Sequence, residues 1–493
     1  MDELDDAPGR RAPLPVGTAL RYDDSLEFLS DDLIAGGHPW KVTRLRGPSG
    51  TTLRRWGETG LVGPGEGALA RTLIDQGYVH PHFTTGIERS DIDVVIPVFG
   101  DLDGLRRLLP ALEGWAVTVV DDASPQPSAI RDICDSYGAT YVARDTNGGP
   151  GAARNTGAAV TSRPYLWFID SDVRVDGITE TASLITAVLA DSRVGAVAPR
   201  IRGDVGTTSR ERFDERYGPL DLGSRSALVV PGGRVSYVPS ASLLVRRSAF
   251  GNGFDETLRT GEDVDFVWRL HDRGWLVRYE PTVVFRHRSR TTWSAWLTQR
   301  YHYGRSAATL AEKHPDRLAP LRLDPVTTLI WSALVTRRWK SAAALTETYT
   351  AALTEQLPED ISDRAAIARR LSVRALLQSF LPTTRALTRS YLPIIVVALA
   401  LKKTRKYAAF LLVAGTAERL RHDTPEPRDM VVSMVDDAAY STGVWSGVWR
   451  TRRGDALRPR VAWKSLQSLS PIPVRSRAVR PGGPDSTTPD RAH

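Results

Sequence analysis

Between residues 92 and 172, short apolar runs recur and each ends in turn or acidic residues. "DVVIPVFG" (93–100), "AVTVVDDAS" (116–124), "ATYVARD" (139–145) and "YLWFIDSD" (165–172) read as strands. The segments between them have helical spacing. Leu105, Leu108, Leu109 and Leu112 fall on one face behind Asp101, a candidate N-cap. "AIRDICDSYG" and the glycine-opened "GPGAARNTGAAVTS" supply two more helices. Alternation of this kind predicts an α/β fold, a parallel sheet with helices on its faces, whose ligands bind beyond the carboxyl ends of the strands.

The pattern divides the 493 residues into parts. Residues 1–18, acidic and proline-rich, are expected to be disordered. In 19–88, Trp40 to Arg46 alternates like a strand, and Ser49 or Thr51 is a candidate cap for a helix running through Trp56. Glu66 to Gln76 reads as a second helix stopped by Gly77, and "YVHPHF" as a closing strand. Short helices with a β-wing predict a winged-helix-like domain. Residues 91–310 carry the α/β pattern. Residues 320–450 are mostly helical, and 451–493 form a basic tail expected to be disordered.

Composition narrows the function. The net charge is +8, but residues 450–493 hold ten Lys/Arg against three Asp/Glu, so the body is close to neutral. No nucleic-acid partner is expected, and the tail suits an anionic membrane surface better. With Cys134 as the single cysteine, neither a disulfide framework nor a cysteine metal site is expected. The acidic start lacks the look of a signal peptide, so a cytoplasmic location is expected. "YLPIIVVALAL" (391–401) and "YAAFLLVAGTA" (407–417) are each too short for the roughly 20 apolar residues of a span, and "KKTRK" separates them. Two readings follow: a hairpin lying at the cytoplasmic membrane face, or a buried helical core.

Polar residues cluster at the predicted strand ends. Asp121 and Asp122 end the second strand, Asn147 to Asn155 follow the third, and Asp170 and Asp172 end the fourth. "RTGEDVDFVWRLHDRGW" places Glu262 and Asp263 just before a helix N-terminus, where the dipole favours carboxylates. Any one of these acids could be a simple cap, but three clusters on one sheet edge point to a shared site.

"DVVIPVFG", "VVDDAS", "NGGPGAARNTG", "FIDSD" and "GEDVDF", in this order, resemble the inverting GT-A glycosyltransferases of family 2 over about residues 91–310. The resemblance implies a nucleotide-diphosphate sugar donor and a divalent cation, Mn²⁺ or Mg²⁺. It implies Asp172 and His287 (in "VVFRHRSR") as metal ligands, and Asp170 at the ribose or behind the metal. Asp122, and less directly Asp121, would read the nucleoside. Pro97, Phe99, Asn147, Gly149 and Arg154 would line the donor, and Ser240 and Ala241 the acceptor. Asp263 would be the catalytic base, with Glu262 orienting the acceptor or the base. In "WLTQRYHYGRS" the Gln-x-x-Arg-Trp motif of processive synthases is absent in its usual form. Arg300, with Tyr301, Tyr303 and Arg305, is expected at the diphosphate or acceptor.

Residues 19–88 are similar to small peptide-recognition domains of ribosomal-peptide modification systems. Together with the catalytic region and helical C-terminus, they resemble the glycosyltransferases of mycofactocin systems. That likeness implies a peptide-derived redox-cofactor precursor as acceptor and UDP-glucose as donor, building β-1,4-linked glucose. The alternatives are a rhamnosyl- or galactosyltransferase of cell-wall polysaccharide and, in another class, a non-catalytic sugar-nucleotide or peptide-binding protein.

Overall fold

The computed structural model describes residues 12–83, 86–175, 178–315, 317–421 and 423–461. The expectation of disorder for 1–11 and 462–493 lies outside them. At both ends the ordered chain reaches further than expected. Leu14 is buried and its N–H donates to the Gly67 carbonyl. Arg460–Val461 form a short strand beside Arg322–Leu323.

The first unit contains β1 (Ala19–Tyr22), β2 (Glu27–Phe28), β3 (Leu33–Gly36), β4 (Lys41–Arg44), α1 (Ser49–Thr59), α2 (Gly67–Asp75) and β5 (Val79–His82). β1 pairs with β5, and β2–β4 form an antiparallel sheet. Neither Ser49 nor Thr51 caps α1: the helix begins at Ser49 with Pro48 before it and no side-chain cap. Strand alternation in β3 explains how the unit attaches. Ile34 turns inward onto Leu53, Trp56 and Leu73, while Leu33 and Ala35 turn outward onto helices of the C-terminal region. Arg71–Asp191 (2.5 Å) and Arg193–Asp75 (2.6 Å) fasten the other side to the α/β region.

That region follows as β6 (Ile92–Val98), α3 (Leu102–Leu108), β7 (Ala116–Asp121), α4 (Pro127–Ser136), β8 (Thr140–Ala143), α5 (Pro150–Ala159), β9 (Tyr165–Ile169), β10 (Val173–Arg174) and α6 (Ile178–Ala187). It continues as β11 (Val194–Gly203), α7 (Ser209–Tyr217), β12 (Ala227–Leu228), β13 (Ser242–Arg246), α8 (Arg247–Phe250), α9 (Glu262–Asp272) and β14 (Leu276–His287). The strands form one sheet in the order β10-β14-β11-β13-β9-β6-β7-β8, with β12 on β14. β9, β6, β7 and β8 are parallel, as the pattern predicts, and β13 enters antiparallel to β9, pairing Ser242 with Ile169. The sheet is therefore mixed. The reversal has a consequence: the start of β13 lies at the edge where β9 ends. Trp167 and Ile169 pack into the core on one face, Leu166 and Phe168 on the other.

The remainder is helical: α10 (Trp293–Lys313), a short β15 (Arg322–Leu323), α11 (Pro325–Val335), α12 (Trp339–Gln356), α13 (Arg364–Ser390), α14 (Leu392–Ala400), α15 (Arg405–Leu420) and α16 (Pro427–Thr451), before β16 (Arg460–Val461). α10 and α16 pack backbone to backbone. A Cβ on Gly304 would stand 2.0 Å from the Tyr440 carbonyl, and one on Gly443 2.0 Å from that of Tyr301. Among the described residues no helix is long and apolar enough to cross a membrane.

Candidate active site

A cleft of about 1670 Å³ opens at the carboxyl ends of β6, β7 and β9. The sheet edge supplies one wall. Pro97 is the next-to-last residue of β6 and an exposed Phe99 follows the strand, Asp122 follows β7, and Asp170, Ser171 and Asp172 follow β9; Ser240 and Ala241 precede β13. The opposite wall comes from α10 and the C-terminal helices, through Tyr303, Arg385, Arg389 and Tyr440.

At the β9 end, Asp172 Oδ1 stands 3.3 Å from His287 Nε2, because β10 pairs Val173 with His287. Arg290 lies 3.7 Å from the other Asp172 oxygen. Asp101 caps α3 as expected, but it also accepts from Ser171 (3.1 Å) and Arg288 (2.6 Å), which ties this turn together. Two adjacent ligands of an octahedral cation, each at about 2.1 Å, are about 3 Å apart. One oxygen and one imidazole nitrogen at 3.3 Å fit that requirement, with water and phosphate oxygens as the remaining ligands. Among the described residues no group of three protein ligands converges.

Arg154 is almost wholly buried beneath the next part of the floor. It donates to Asp170 (2.5 Å) and to Glu262 (3.1 Å), so one cation links α5, the β9 end and the first turn of α9. Glu262 and Asp263 are the first two residues of α9, inside the helix rather than ahead of it. Asp263 keeps a face on the cleft. Its oxygens accept from the backbone N–H of Val264 (2.8 Å) and, at 3.4 Å, from that of Ser240. Burial, and next the negative charge of Glu262, push its carboxyl up to about 7.

Asp122 holds the glycine-rich turn. One oxygen accepts from Arg144 and Gly148 (both 2.9 Å), the other from Gly149 (2.7 Å). A carboxylate has about four lone-pair sites, so one remains. Gly149, at φ +89°, is where an L side chain would be strained. Asn147 accepts from Arg259 at 2.6 Å, closing the turn against the loop before α9.

Two expected site residues lie elsewhere. Asp121 is the last residue of β7 and faces away from the cleft, accepting from Ser124 N–H and Tyr141 Oη at 2.9 Å each. Strand alternation puts neighbouring acids on opposite sides. Arg300 is 2% exposed and joins Asp214 (2.5 Å) to Asp436 (2.7 Å), so it fastens α7 and α10 to α16 and does not line the cleft. Tyr301 is also turned away, bonded to Ser446 at 2.6 Å; Tyr303 faces the cleft, and Arg305 does not line it.

Sequence reasoning missed Arg288, Tyr237, Arg389 and Tyr440. Arg389 lies 3.9 Å over the Tyr440 ring and 3.6 Å from Asp436, with no hydrogen-bond partner among the described residues. Burial pushes Tyr237 up to about 12, so it stays a neutral hydroxyl. Only the alternating arginines of "FRHRSR" offered a signal, for Arg288; the others come from segments far apart in the chain.

Comparison with known proteins decides the class. The family model described as glycosyl transferase family 2 matches residues 93–254. The chain is 35% identical over 473 residues to the pre-mycofactocin glycosyltransferase of Mycobacterium tuberculosis, covering 91% of this chain and 98% of that one. The chain belongs to the pre-mycofactocin glycosyltransferase family. It is a family 2 glycosyltransferase with a GT-A core. It is also 27% identical over 170 residues to a poly-beta-1,6-N-acetyl-D-glucosamine synthase of Staphylococcus aureus, covering 34% of this chain and 40% of that one. Among solved structures, the mannosyltransferase PcManGT from Pyrobaculum calidifontis in complex with GDP-Man and Mn²⁺ overlaps 75% of this chain and 90% of that one, with 16% identity and a TM-score of 0.42.

Proposed function

We propose that this glycosyltransferase moves glucose from UDP-glucose to a hydroxyl of a peptide-derived redox-cofactor precursor, pre-mycofactocin, in a single inverting displacement, and extends it by β-1,4 linkage. Family membership supports the acceptor class. The observation that carries the chemistry is Asp263. It faces the cleft with no cation hydrogen-bonded to it among the described residues, and it is poised near neutrality.

On this reading the donor lies along the sheet edge. The free lone-pair site of Asp122 takes the uracil N–H, Phe99 flanks the base, and Asp170 meets the ribose. Asp172 and His287 would hold a divalent cation, Mn²⁺ or Mg²⁺, which neutralises the diphosphate when bound. Asp263 takes the proton of the acceptor hydroxyl as that oxygen attacks the anomeric carbon and the bond to diphosphate breaks. Glu262, pinned by Arg154, fixes the first turn of α9 and keeps the base's affinity for a proton high. Ser240 and Ala241, with Tyr237 and Arg389, flank the acceptor.

No described residue of 12–83 lines the cleft, so peptide recognition by the first unit would act beside the reaction centre. The test is incubation of the purified chain with Mn²⁺, a panel of nucleotide sugars and candidate acceptors, read by mass spectrometry. Hexose transfer from UDP-glucose to the peptide-derived acceptor is expected. Transfer only from a rhamnose or galactose donor onto a lipid-linked acceptor would overturn the reading.

A further inference from the structure

α14 is made of the residues "LPIIVVALA", and only Ile395 among them is buried. Leu392, Ala398 and Leu399 are half-buried, and the remaining apolar positions face outward. Ile394, Val396, Val397 and Leu401, with Phe410 and Val413 on α15, are 47–61% exposed. The turn joining the two helices holds Lys402 and Lys403, and α15 begins with Arg405 and Lys406, all four exposed. The apolar surface continues past α15. Phe410 meets Phe380 of α13 at 5.9 Å, Phe380 meets Trp331 of α11 at 4.2 Å, and Leu377 and Leu329 beside them are exposed. The buried-core reading of this segment therefore fails.

An apolar surface of this extent is a docking surface, and its flanking charges identify the occupant. At about 1.5 Å per residue, the nine residues of α14 rise about 14 Å and the sixteen of α15 about 24 Å, short of the roughly 30 Å hydrocarbon core. A hairpin inserted end-on would also carry four cations into that core. Laid flat, the same hairpin puts its aliphatic side chains among acyl chains and its cations at the level of anionic headgroups. We propose that the α14–α15 hairpin docks this glycosyltransferase in the plane of an anionic lipid bilayer, without crossing it.

The test is flotation of the full chain with phosphatidylcholine vesicles, with and without phosphatidylglycerol. The protein is expected to float with anionic vesicles and much less with neutral ones. I394E/V397E is expected to weaken binding about a hundredfold or more. K402E/K403E is expected to weaken it about tenfold or more on anionic vesicles only. These side chains lie outside the cleft, so both variants should retain wild-type circular dichroism and sugar transfer in solution. Wild-type protein that stays with the soluble fraction, or variants that float like wild type, would overturn the proposal. So would a wild-type dimer by analytical ultracentrifugation that I394E/V397E dissociates while vesicles remain unbound, since a second copy would then cover this face.

Discussion

Replacing Asp263 by Asn removes one ionisable group and keeps its shape, so it separates the cost of this carboxylate from its use. A carboxyl that holds its proton up to about 7 rather than about 3.8 is disfavoured in the folded state once ionised. The penalty is absent below about 3.8, where both folded and unfolded chains hold the proton. It grows as pH rises and is complete above about 7. At 1.36 kcal/mol per pH unit it reaches at most about 4 kcal/mol. Asp263→Asn should therefore be more stable than wild type at pH 8, by up to about 4 kcal/mol, and nearly equal to it at pH 4. Urea unfolding followed by tryptophan fluorescence at the two pH values measures this. Transfer should fall by about 10²- to 10⁴-fold, the usual worth of a general base. In wild type, kcat/KM should rise with pH through about 7, because the ionised form is the active one. Equal stability differences at pH 4 and pH 8, or an Asn variant that transfers sugar at the wild-type rate, would refute the reasoning.

Asp172→Ala should lower transfer by about a hundredfold or more and weaken Mn²⁺ binding measured calorimetrically in the presence of UDP; unchanged Mn²⁺ affinity would exclude Asp172 as a ligand. Arg300→Ala should cost about 3 kcal/mol in urea unfolding, because Asp214 is left inside the fold without its cation, while Asp436 keeps Arg419. A variant with wild-type stability but raised donor KM would return Arg300 to the substrate. Removing residues 1–88 should yield protein that aggregates, since it uncovers Ile330, Tyr349 and Leu371 of the helical region; a soluble, monomeric truncation would make the first unit dispensable for folding.

The parallel half of the sheet was legible because buried strands of β-branched and aromatic residues declare themselves locally. β9 and its two acids are the clearest instance. The antiparallel entry of β13 was not legible, because a strand's direction in a sheet depends on partners far away in the chain. The place of Asp263 at the start of α9 was legible in its motif, while its displaced proton affinity needed the neighbouring Glu262 and the surrounding burial. Asp121 and Asp122 look equivalent in sequence, and only the pleat separates a scaffold acid from a cleft acid. Arg300 was misread for a similar reason. A lone arginine on an amphipathic helix carries no mark of what it faces, and its partners Asp214 and Asp436 lie 86 and 136 residues away. The wall built by Arg389 and Tyr440 was beyond sequence reasoning for the same cause. The exposed face of α14 was half legible: hydropathy found the segment, but whether it points in or out is decided by packing.

The central claim is one displacement at the anomeric carbon, driven by Asp263. Its most direct test is the configuration of the product. Wild-type enzyme, UDP-α-glucose and the peptide-derived acceptor should give a β-linked glucoside, recognised by the large anomeric coupling in proton NMR. An α-linked glucoside would mean retention, and a single displacement with Asp263 as base would be contradicted.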